Sequence, residues 1–111
     1  MTARLTSAMR VGALVRRVHA SGGFAAVLAK GDEGAGAILV IAAGPDLPPT
    51  AWEAGFDAAG RAALVPTGPE QDESALTAYW QRRRERDRDL WVVELTIADA
   101  ERFAAETILP T

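Results

Sequence analysis

Val11, Leu14, Val15 and Val18 recur at three- and four-residue intervals and make one apolar stripe, which predicts an α-helix over residues 8–20. Ser7 is the expected N-cap and Gly22-Gly23 the stop. At about 100° per residue, Arg10 and Arg17 fall together beside the stripe, Arg16 falls on the far side, and His19 lies on the opposite rim. Residues 24–30 and 36–43 then read as two strands, with Gly31-Asp32-Glu33-Gly34 supplying hairpin chemistry between them. The second strand, Gly-Ala-Ile-Leu-Val-Ile-Ala-Ala, is apolar on both faces and should be central and covered on both sides.

Residues 44–60 hold Pro45, Pro48 and Pro49 with Gly44, Gly55 and Gly60, and read as an irregular link. Within it, Thr50 followed by Glu53 has the spacing of a capping box, and Trp52 and Phe56 are one turn apart, so a short helix is expected there. Residues 61–66 form the next strand, closed by Pro66 and Gly68-Pro69. Asp72 caps a helix running to Arg86, residues 90–97 make a β-branched and aromatic strand, and Asp99 caps a last helix with the stripe Ala100, Phe103, Ala104, Thr107 and Ile108, stopped before Pro110. The order αββ(link)βαβα predicts a single α+β domain over residues 1–111, a four-stranded mixed sheet with helices packed on it.

Composition narrows the class without naming a chemistry. The chain has 111 residues, 49% hydrophobic and 24% charged, and no cysteine. A chain of this size buries roughly 65% of its unfolded surface, enough for a core without a metal or disulfide staple. Disordered, collagen-like and cystine-rich classes are excluded, and no apolar run approaches the roughly 18 residues of a membrane span. Nor does a charged start lead into an uninterrupted apolar segment of the kind that directs secretion, so the expected location is the cytoplasm. The net charge of -3 is unevenly spread: residues 1–31 carry +5, residues 32–81 carry -7 and residues 82–111 carry -1.

The catalytic inventory is thin. His19 is the one histidine, so a Cys–His pair is excluded, and Ser7, Ser21 and Ser74 lack a nucleophile-elbow context. Asp87-Arg88-Asp89 has arginines for partners, and nothing has metal-ligand spacing; no cofactor or metal is expected. The glycine-rich run 30–36 precedes a strand rather than opening a helix, which fits a turn and not a phosphate cradle.

The unusual feature is the run from Gln81 to Asp89, which contains Arg82, Arg83, Arg84, Arg86 and Arg88. Cations suit a helix C-terminus. Arg83 shares the stripe of Leu76, Tyr79 and Trp80, and Glu94 shares a strand face with Leu90 and Val92, so Arg83 and Glu94 are candidates for a structural ion pair. Arg82, Arg84, Arg86 and Arg88, joined to Arg10 and Arg17, are candidates for an anion or nucleic-acid surface. Trp52 and Phe56, large apolar groups in a Pro/Gly-rich link, are candidates for an interaction surface. The expected function is a non-catalytic interaction module that contacts a protein partner or a second copy of itself. Polyanion binding through the Arg82–Arg88 cluster is the alternative, and a small-ligand binder or enzyme using Glu94, Arg83 or His19 the second.

Three stretches carry a resemblance: Leu-Val-Arg-Arg-Val at 14–18 running into Gly-Gly-Phe-Ala at 22–25; Lys-Gly-Asp at 30–32 followed by Ala-Gly-Ala-Ile-Leu-Val at 35–40; and Asp-Arg-Asp-Leu-Trp-Val-Val-Glu at 87–94. In this order they resemble a family of short bacterial proteins catalogued as domain of unknown function 1491. Residues 44–70 depart from its pattern, and Arg88 stands where relatives tend to carry proline. The resemblance implies a stand-alone single-domain bacterial protein whose framework is these three stretches. It transfers no catalytic or binding residue.

Overall fold

The helical stripe of Val11, Leu14 and Val18 is buried, as its spacing requires, in the first of three helices. The computed structural model describes residues 5–44, 47–69 and 72–109; Pro45 and Pro110 lie outside them. The elements are α1 (Ser7–Ala20), β1 (Phe24–Ala29), β2 (Ile38–Gly44), β3 (Leu47–Phe56), β4 (Ala62–Thr67), α2 (Glu73–Arg86), β5 (Trp91–Thr96) and α3 (Ala100–Ile108). They form a single α+β domain around one mixed sheet of five strands, not four, in the order β1-β5-β2-β3-β4. Among the described residues only β2 and β5 pair in parallel.

The expected short helix within residues 44–60 is instead β3, paired antiparallel with both β2 and β4. The same residues that mimic helical spacing also alternate, with Ala51, Glu53 and Gly55 on one face and Trp52, Ala54 and Phe56 on the other. Pro48 and Pro49 fall where the β2–β3 register shifts and before β4 begins to pair at Ala51, so their missing N–H groups break no regular ladder.

The predicted β1–β2 hairpin does not form either. β5 lies between the two strands, antiparallel to β1 and parallel to β2. The connection wraps the entry to β5: the Asp32 N–H donates to the Asp89 carbonyl at 3.0 Å, the Trp91 N–H to the Ala37 carbonyl at 2.8 Å, and the Trp91 indole to the Asp32 carbonyl at 2.7 Å. A Cβ at Gly31 or Gly36 would stand 2.1 or 2.0 Å from the Asp89 carbonyl oxygen, so these glycines are there for close approach.

Two caps differ from expectation. Thr6, not Ser7, caps α1, its hydroxyl accepting from the Met9 N–H at 3.1 Å. Ser7 is buried inside the first turn and donates to the Gly36 carbonyl at 2.6 Å. Asp99 occupies the N-cap of α3 in the left-handed region (φ 57°) with no side-chain cap bond, whereas Asp72 caps α2 as predicted, accepting from the Ala75 N–H at 2.6 Å.

The core has two layers. On one face α1 and α3 pack Val11, Leu14, Val18, Ala104 and Ile108 against Ile38, Val40, Trp91, Val93 and Leu95. On the other, α2 alone sets Leu76, flanked by Tyr79 and Trp80, on Leu39, Ile41, Ala51, Leu90 and Val92. β2 and β5 are therefore covered on both faces, as expected of β2. No helix among the described residues is long and apolar enough to cross a membrane.

Candidate interaction surface

Arg83 does not meet Glu94. Its guanidinium makes a two-point pair with Glu53 on β3, at 2.8 and 3.0 Å, and donates to the Tyr79 hydroxyl at 3.2 Å. Tyr79 in turn bonds the Thr67 hydroxyl at 2.6 Å, so α2, β3 and β4 are tied by one chain of hydrogen bonds. The bond to Glu53 holds Arg83 above the ordinary arginine range, against the opposing effect of burial. This is a structural clasp between one helix and two strands.

The arginines divide between the two layers. Arg17 donates to the Thr107 hydroxyl at 2.7 Å and to Glu106 at 3.3 Å, and lies 5.6 Å from the centre of the Phe103 ring. Arg10 donates to the Ile108 carbonyl at the end of α3, where a cation complements the helix dipole. Both fasten α1 to α3 and cannot join a surface on α2. Arg84 is turned back onto the carbonyls of Arg88 and Leu90. Arg82, Arg86 and Arg88 are exposed, with no ion-pair partner among the described residues.

Glu94, Arg83 and His19 do not converge. His19 accepts from the Ala25 N–H at 3.2 Å on edge strand β1. Glu94 lines a small cavity under α2. A second cavity, of about 770 Å³, opens at the carboxyl ends of β2 and β5 beside the start of α3, and none of the three lines it.

Among the described residues large apolar side chains reach solvent in three places, the first being Leu5 and Met9 at the start of α1. Phe56, 74% exposed, stands at the β3–β4 hairpin, while Trp52 is half-buried with its indole donating to the Thr50 hydroxyl at 2.9 Å. The third place is β1, where Phe24 and Leu28 are 62% and 39% exposed, while Val27, paired with Val93, is exposed on the opposite face. Phe24 and Ala26 pair in register with Thr96 and Glu94, which places them on the α2 face. α2 covers β2, β3 and the start of β5, and β1 lies beyond it. Sequence reasoning missed this patch because apolar residues in a strand read as core; only the edge position of β1 exposes them.

The sequence profile of a family described as "Protein of unknown function (DUF1491)" matches residues 5–105. No curated protein matches significantly. A crystal structure of a DUF1491 family protein from Caulobacter crescentus CB15 is similar, with 33% identity, a TM-score of 0.79, and 90% of this chain and 94% of that one covered. A solution structure of a protein from A. tumefaciens shares 31% identity with a TM-score of 0.76 and 98% of each chain covered. An NMR structure of a C. crescentus DUF1491 family protein gives 31%, 0.78, and 98% and 97%.

Proposed function

The chain belongs to the DUF1491 family, and from that footing we propose that it is a binding module whose partner is another protein, docked on the β1 flank of the α2 face. One observation carries the reading: a five-stranded sheet has a single helix on this face, and Phe24 and Leu28 project beyond it at 62% and 39% exposure. Apolar groups grouped beside a polar helix are the usual makings of a protein contact. Polyanion binding has weaker support, since Arg10, Arg17 and Arg84 are engaged within the chain.

The test captures partners on the immobilised chain, identifies them, and titrates each against wild type, the double variant Phe24→Ser/Leu28→Ser, and Phe56→Ser. The β1 double variant should keep its circular dichroism and bind about tenfold weaker or less, as loss of a central apolar anchor implies. Undiminished binding refutes the β1 surface. Loss confined to Phe56→Ser assigns the contact to the Trp52–Phe56 hairpin instead.

A further inference from the structure

Glu94 is a carboxylate in an apolar setting. It sits on β5, a strand covered on both faces, and its lateral neighbours in the sheet are Ala26 on β1 and Ile41 on β2. It is half-buried, and among the described residues neither a cation nor a hydrogen-bond donor engages its side chain. No buried side-chain oxygen among the described residues lacks a hydrogen-bond partner, so the Glu94 oxygens reach water, and their charge is left uncompensated by any cation of the chain. Glu94 opens into a cavity of about 290 Å³ whose apolar walls include Leu28, Ile41, Leu76 and Trp80, and Glu73 brings a second carboxylate to its lining. Glu73 alone is explained by its place in the first turn of α2, where an acid complements the helix dipole. Glu94, on a strand, has no helix terminus to complement.

From these groups we infer that the cavity receives the side chain of a lysine or arginine projecting from the protein partner. Apolar walls suit the methylene stem, Trp80 offers an aromatic surface to the cation, and the two carboxylates supply the counter-charge. The cavity shares Leu28 with the exposed β1 patch, so one docked segment would cover Phe24 and Leu28 with its apolar side chains while inserting its cation. The inference rests on the proposed β1 surface and adds its charge preference: the partner segment is amphipathic and basic.

The experiment titrates the isotope-labelled full chain with a helical peptide built of leucine and lysine, with its glutamate-for-lysine counterpart, and with spermidine. The lysine peptide should shift the amide of Glu94 and the indole N–H of Trp80. Glu94→Gln should weaken it about tenfold and Glu73→Gln less, while Glu106→Gln, on the opposite face, should leave it unchanged. Spectra of each variant verify the fold, and Glu73→Gln stands in should Glu94→Gln unfold. Equal binding of both peptides, or no loss on either substitution, overturns the cation pocket while shifts at Phe24 and Leu28 keep the β1 surface. Shifts confined elsewhere, or none, overturn both. Spermidine binding as tightly as the peptide refutes a protein side chain as the occupant.

Discussion

At the scale of single residues, the Arg83–Glu53 pair and the conformation of Asp99 have the clearest energetic consequences. Arg83 and Glu53 keep 27% and 25% of their side-chain surface, so water screens the pair only in part. Arg83→Met should cost about 1–2 kcal/mol in urea denaturation, with a coupling of similar sign in the double-mutant cycle with Glu53→Gln. Because Arg83 is raised in the folded state, its contribution is complete at every pH below the ordinary arginine range and is lost only as pH climbs through the folded value. Asp99 holds a left-handed backbone with no capping bond to offset it. Asp99→Gly should therefore stabilise the fold by about 0.5–1 kcal/mol, read as a higher melting temperature, where an ordinary N-cap would lose stability.

At the scale of elements, whatever rests on local periodicity was legible and whatever rests on pairing was not. The stripe of α1, the Asp72 cap of α2, the double-sided burial of β2 and the apolar character of β5 all follow from short stretches of chain. β3 was hidden because Thr50/Glu53 and Trp52/Phe56 satisfy a helical spacing and a strand alternation at once, and flanking prolines argue against both. That one ambiguity propagated to the site. The face shared by Leu90, Val92 and Glu94 was read correctly, but the acid opposite Arg83 depends on which strand lies beneath α2, and with β3 unread Glu53 was not available as a partner. Phe24 and Leu28 were missed likewise, for no local pattern tells an edge strand from a central one.

At the scale of the whole molecule, both margins of the sheet are blunted against a further strand. β1 carries a register irregularity between Val27 and Ala29, and the His19 imidazole accepts the Ala25 N–H. β4 carries Pro66. These are the usual devices against edge-to-edge association, and the contact proposed above accordingly uses the side chains of a face and not the backbone of an edge. The insertion of β5 between β1 and β2 also sets the order of assembly. A ribosome delivers both neighbours of the central slot long before the strand that fills it, so β1 stays unpaired until residues 91–96 emerge. Such a late, non-local closure slows folding. A fragment of residues 1–69 should give the circular dichroism of a largely unstructured chain, and mixing it with a fragment of residues 72–111 should restore the native spectrum. The nascent protein thus spends most of its synthesis with the Phe24–Ala29 segment open, the interval in which a chaperone has most to protect.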